Sequence, residues 1–220
     1  MSAGATAMPR SEATAAALAI RARRYLDGLD HPALGRFLAA WPAASVETRA
    51  VAPRFLPVVH CLPDAVAAAG GRGLHLVRAL AAAAPRLQWG QTYAPEDFGV
   101  SFLERYGWTE LVGTRGPLPS EALACGFLLL AQGTEYPAHS HDAEEIYIPL
   151  TGPASWMAGE ERPWAARPPD EPIHHASGMT HAMRAEAVPL LALYLWRGGD
   201  LAQKSTIATD TAEGDRPTGR

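Results

Sequence analysis

One stretch constrains this chain more than any other: Gly133 to Gly152, GTEYPAHSHDAEEIYIPLTG. Between its two glycines lie His139, His141, Glu145 and Tyr147. An extended backbone sends successive side chains to opposite faces, so these four odd-numbered residues are expected to point the same way. Imidazole and carboxylate together suit a divalent transition metal such as zinc, iron, manganese, nickel or cobalt. A histidine-rich surface strand is the plainer reading. It fits poorly with the apolar, strand-like residues on both sides.

The flanking sequence supports a chain of short strands. ACGFLLLAQG runs into Gly133, EIYIPLTG follows the histidines, and SWMAG, RPWAA, IHHAS, HAMRA and LLALYLW are separated by Gly, Pro and Asp turns. Regular short strands of this kind predict a sandwich or small barrel. The N-terminal part reads differently. Helical patterning is expected over 12–29, with Ala17, Leu18, Ile20, Tyr25 and Leu29 available for a buried face, and again over 32–41, 64–69 and 74–84. The stretch 89–121 is rich in aromatics and glycine, and its elements are not assignable from pattern alone. The resulting division is a helical region over 1–90, a β domain over 91–204 and a flexible tail over 205–220, with 1–10 also expected to be disordered.

Bulk properties exclude several classes of partner. A formal charge of −4 and a pI near 6.1 provide no basic field for nucleic acid or an anionic membrane surface. No apolar run is long enough to span a bilayer, and the N-terminus has no signal-peptide core, so a cytoplasmic protein is expected. Cys61 and Cys125 are the two cysteines, far apart and among apolar neighbours, and read as reduced packing residues. The apolar surface of the N-terminal helices would suit a homodimer.

The spacing from Gly133 to Gly152 matches the first cupin motif, G-x5-H-x-H-x3-E-x6-G, at every defining position. The second motif, G-x5-P-x-G-x2-H-x3-N, is only partly present. Gly178 and His181 fit it, whereas Asp170, Ala176 and Ala185 replace its first glycine, proline and asparagine. The resemblance implies a mainly β fold with a helical N-terminal region: a single cupin β-barrel of double-stranded, jelly-roll type preceded by several α-helices. It also makes His181 the fourth metal ligand, with His174 and His175 as rivals.

Among cupins, the chain resembles the dimethylsulfoniopropionate (DMSP) lyases of the DddL and DddQ groups over about 90–200. Tyr136 and Tyr147 around the metal motif, and HAMR at 181–184 followed by PLLALYLW, carry that likeness. It implies a carbon–sulfur lyase that cleaves DMSP to dimethyl sulfide and acrylate. His139, His141, Glu145 and His181 would hold the metal, Tyr147 would act as base, and Tyr136 would orient the substrate carboxylate. Aromatic side chains, among them Trp89, Tyr93, Trp108, Trp156, Trp164, Tyr194 and Trp196, offer faces for the sulfonium. Arg184 is expected to form a strand-edge salt bridge. A different metal-dependent cupin enzyme, a dioxygenase or isomerase, and a non-catalytic cupin binding a small ligand remain as alternatives.

Overall fold

Ala15, Leu18, Ala19, Ala22 and Leu26 are buried along one stripe of the first helix, α1 (Ser11–Asp27). Their spacing follows the helical period. Ala17 and Ile20, expected on the buried face, lie outside that stripe and are exposed, Ile20 by 54%. The computed structural model describes residues 11–159 and 163–208; the expected disorder at 1–10 falls outside them.

The remaining helices are α2 (Leu34–Ala39), α3 (Leu62–Ala68), α4 (Leu74–Ala83) and α5 (Pro95–Glu104). Twelve strands are described: β1 (Trp89–Gly90), β2 (Tyr106–Gly113), β3 (Leu118–Pro119), β4 (Ala124–Leu130), β5 (Glu135–Ser140), β6 (Glu144–Pro149), β7 (Ala154–Ala158), β8 (Ala165–Arg167), β9 (Ile173–His175), β10 (His181–Arg184), β11 (Leu190–Arg197) and β12 (Thr206–Ile207). The unassigned stretch 89–121 thus resolves into β1, α5, β2 and β3. One sheet has the order β1-β2-β4-β11-β6-β9, with β3 beside β2, and the other has β12-β5-β10-β7-β8. The fold is mainly β, a two-sheet barrel preceded by helices.

The larger sheet is buried on both faces, which is why β4 reads as a continuous apolar run. Cys125, Phe127 and Leu129 of β4, with Leu191, Leu193 and Leu195 of β11, join the core shared with α1, α2 and α4. Ala124, Leu128 and Leu130, with Leu190, Ala192 and Tyr194, face inward to a second core with Tyr136, Tyr147 and Trp156. Alternation along each strand therefore separates a helix-facing surface from a lumen-facing one.

The helical layer is also tied down by polar contacts. Tyr25 Oη donates to Asp170 Oδ1 at 2.7 Å, and the Arg72 backbone N–H donates to Asp170 Oδ2 at 2.9 Å. Cys61 and Cys125 are free thiols. At the other end of the chain, the tail set at 205–220 begins differently from expectation. Thr206 and Ile207 pair with Ser140 and His139, because the open edge of β5 offers them backbone partners. Residues 209–220 lie outside the described part. Among the described residues, no helix is long and apolar enough to cross a membrane.

Candidate functional site

The histidine motif does not form one continuous strand. His139 lies on β5 in the smaller sheet, whereas Glu145 and Tyr147 lie on β6 in the larger one, with the turn between them carrying His141. The odd-numbered side chains still converge, because both strands direct them into the lumen. Parity thus gives the right grouping for a reason that includes the fold between the sheets.

Tyr136 corrects the parity argument more directly. Across β5 and β10, His139 pairs with His181 and Tyr136 with Met183, so two residues of β5 oppose the single residue Ala182. This bulge at Pro137 and Ala138 resets the alternation and returns Tyr136 to the face of His139. Their rings stack at 4.1 Å between centroids, 13° from parallel.

Three histidines share one local device. Nδ1 of His139 faces Pro137 O at 2.8 Å, that of His141 faces Ala143 O at 2.9 Å, and that of His181 faces Met179 O at 2.9 Å. Each carbonyl holds the proton on Nδ1 and leaves the Nε2 lone pair available to a metal. Ligand atoms of His139, His141 and His181 lie within 4.8 Å of one another, as do those of Glu145, His175 and His181. His181 belongs to both groups.

Glu145 is 0% exposed. Its Oε2 lies 3.1 Å from both His141 Nε2 and His181 Nε2 and 3.6 Å from His175 Nδ1, while Oε1 accepts a hydrogen bond from Trp196 Nε1 at 2.5 Å. Burial alone would push this carboxyl upward, but the surrounding His141, His175 and His181 hold it well below its usual range. Burial and the neighbouring His181 keep His139 well below its ordinary value, and hold His175 at about 4, so both are neutral at physiological pH. Neutral imidazole is the form that binds a metal.

The donor set fits a divalent cation on an independent ground. Both ring nitrogens of His175 are buried without a hydrogen-bond partner, and Nε2 of His181 has only the Glu145 carboxylate beside it, at 3.1 Å without hydrogen-bond geometry. Unpaired polar atoms at such depth are costly, and a cation among them would satisfy the lone pairs. His175, weighed as a rival ligand in the sequence, is thus part of the buried cluster. His174 is not: its Nε2 pairs with Glu144 Oε1 at 2.7 Å near the surface, beside Arg36. The adjacent His174 and His175 point to opposite faces of β9, which periodicity allows but cannot assign without knowing the strand's neighbours.

The tyrosines complete the lumen. Tyr147 pairs in register with Tyr194 of β11, and its ring centroid is 6.3 Å from that of His181. Burial, then the Glu145 charge, push its phenol well above 10.0. Tyr136 shares a 2.8 Å hydrogen bond with Tyr93, a contact between distant segments that had no sequence signal. Arg184 forms the expected edge salt bridge, to Glu135. A cavity is lined by Tyr136, Tyr147, Trp108, Glu110, Tyr194 and Trp196 among others. Glu110 was missed in the sequence. Its only signal is a carboxylate at an alternate position after Tyr106 and Trp108.

The family model for dimethylsulfoniopropionate lyase matches residues 34–192. The chain belongs to the DMSP lyase family. The curated relative named dimethylsulfoniopropionate lyase DddQ, from Ruegeria pomeroyi, is 38% identical over 120 residues, 54% of this chain and 59% of the relative. The match thus spans under two thirds of that relative's length. A crystal structure of DMSP lyase DddQ from Ruegeria pomeroyi superposes with a TM-score of 0.79 at 29% identity, covering 89% of this chain and 96% of that one. A crystal structure from work on the DMSP lyases RdDddP and RnDddQII gives a TM-score of 0.81 at 29% identity, covering 90% and 100%.

Proposed function

We propose that this protein is a metal-dependent DMSP lyase, releasing dimethyl sulfide and acrylate by β-elimination. The observation that carries the reading is a buried cluster of histidines around Glu145, with both ring nitrogens of His175 left without a hydrogen bond, beside two lumen tyrosines in a chain of this family. His139, His141, Glu145 and His181 would hold the ion in this reading, with His175 against the same carboxylate. A bound divalent ion supplies positive charge that polarises the substrate carboxylate and favours the phenolate of a neighbouring tyrosine.

Tyr147 takes the proton from the carbon next to the substrate carboxylate. The electron pair of that C–H bond becomes the new C=C bond, and the C–S bond breaks with its pair passing to sulfur. Dimethyl sulfide leaves neutral, so no acid is required at the leaving group. Without a cation beside it Tyr147 is held protonated, by burial and by Glu145, which makes the base role dependent on the filled cluster. Tyr136, fixed by Tyr93 and by its stacking on His139, orients the substrate carboxylate. The aromatic lining excludes water from the developing carbanion.

The test is to incubate metal-loaded protein with DMSP and quantify dimethyl sulfide and acrylate, with and without a chelator. Equimolar products that vanish on chelation are expected. No product from the loaded protein would remove the lyase assignment.

A further inference from the structure

Three residues of the larger sheet that surround the buried carboxylate each have a chain neighbour in a second, charged cluster outside the barrel. Glu144 precedes Glu145 on β6, His174 precedes His175 on β9, and Arg197 follows Trp196 on β11. Register places Trp196, Glu145 and His175 in one row across the three strands, and sets Arg197 opposite Glu144. Alternation sends the first set inward and the second outward. The outer set converges on Glu144. Arg197 Nη1 donates to its Oε2 at 3.2 Å, and His174 Nε2 lies 2.7 Å from its Oε1.

The remaining member comes from the helical layer. Arg36 of α2 donates through Nε to Glu144 Oε2 at 3.1 Å and through Nη2 to Oε1, and the same Nη2 lies 3.2 Å from His174 Nε2. A guanidinium fork across both carboxylate oxygens fixes geometry in a way that a single exposed ion pair does not. What it fixes is a weakly held strand. β9 is three residues long, ends its sheet and has β6 as its one strand neighbour among the described residues. The helical layer grips it at both ends: Tyr25 and Arg72 hold Asp170, three residues ahead of Ile173, and Arg36 holds His174 together with Glu144. β9 carries His175, which stacks on His181 and has Nδ1 3.6 Å from Glu145 Oε2. Neither ring nitrogen of His175 has a hydrogen bond, so the placing of its strand decides where the ring sits.

We infer that Arg36 is a positioning residue for the metal centre, acting through Glu144 and His174 to keep β9, and with it His175, against Glu145 and His181. This rests on the metal-dependent reading above and deepens it, because a helix outside the barrel then sets the shape of the site inside it. Arg36 is exposed, so a change there leaves the lumen lining intact. Its effect on the centre therefore travels through the backbone steps from Glu144 to Glu145 and from His174 to His175.

The experiment uses the full chain loaded with cobalt(II), whose visible absorption bands report the geometry of its ligands. Arg36→Ala is expected to shift those bands and to weaken cobalt affinity about tenfold in chelator competition, the lower end of the range for residues that support ligands. Arg36→Lys keeps a charged donor and is expected to recover the wild-type bands and most of the affinity. In a Glu144→Gln background, Arg36→Ala is expected to change affinity little further, because the two act as one unit. Urea unfolding of the metal-free forms separates positioning from general stability, and its midpoint is expected to move little, since exposed ion pairs contribute little to folding. Wild-type bands and affinity in Arg36→Ala, no recovery in Arg36→Lys, an undiminished further loss in the Glu144→Gln background, or a collapse of the metal-free fold would each overturn the inference while the metal reading stands. Failure of the wild type to bind cobalt instead removes the metal reading on which it rests.

Discussion

His175 and His181 stack face to face, with ring centroids 4.1 Å apart and planes 8° from parallel, although β9 and β10 belong to opposite sheets. The pair pins the two halves of the lumen together at the buried carboxylate of Glu145. Two imidazoles this close cannot both carry a proton without strong repulsion, and burial with the neighbouring His181 keeps His175 neutral down to about pH 4.

His181 is common to both groups of ligand atoms, so its loss should damage metal retention more than loss of His175. His181→Ala is expected to weaken metal affinity by more than the roughly 10- to 100-fold typical of a supporting residue. Competition with a graded chelator, followed by metal analysis, checks this. Equal retention in the two alanine variants would contradict it.

Tyr147→Phe removes only an oxygen from a buried ring. If Tyr147 takes the substrate proton, kcat falls by about 10²- to 10⁴-fold while metal content stays at the wild-type level. Near-normal turnover in this variant would assign the base elsewhere.

Tyr93→Phe leaves the Tyr136 hydroxyl without its 2.8 Å partner. The expected stability cost is about 1 kcal/mol, the usual net worth of one hydrogen bond. Steady-state kinetics should show a raised KM for DMSP at unchanged metal content, since Tyr136 would then be free to turn away from the carboxylate it is proposed to orient. An unaltered KM would argue against that orienting role.

Glu110 supplies a pH prediction. Burial, the largest influence, raises its folded-state value above the ordinary 4.5, even though the N–H groups of Arg115 and Gly116 act in the opposite direction. Its contribution to stability is therefore fully present below 4.5 and is lost as the pH rises through the higher folded value. Glu110→Gln cannot ionise and escapes this loss. Melting temperatures measured from acid to neutral pH should show the variant gaining on wild type as the pH rises; a constant difference would show that Glu110 does not titrate in this way.

The helix-facing side of the sheet has its own test. Phe37 of α2 is fully buried in the core shared with β11, and Phe37→Ala should cost about 3–5 kcal/mol in denaturant unfolding. A cost near zero would mean that the helices add little to the barrel.

Much of this architecture is visible in the residues. The apolar runs ending at Gly133 and Trp196 announce buried strands, and the spacing of His139, His141 and Glu145 marks three residues that the fold buries in one cluster. What sequence cannot encode locally is the partner across a sheet. The bulge at Pro137 and Ala138 exists because β10 contributes one residue opposite two, so the orientation of Tyr136 is decided by a strand more than forty positions away. The burial of His175 depends on β9 closing onto β6, and the pairing of Glu110 with Tyr194 across Gly126 depends on three strands at once. Ile20 shows the converse: a large apolar side chain on a helix need not lie on its buried stripe.

The two faces of β4 also separate two kinds of change. Cys125, Phe127 and Leu129 bear on how the helices are held, while Ala124 and Leu128 bear on the shape of the cavity. A library restricted to positions 124 and 128 would therefore reshape what the lumen accepts while leaving the helix-to-sheet seam untouched, so ligand preference in this barrel can drift without the scaffold having to be rebuilt.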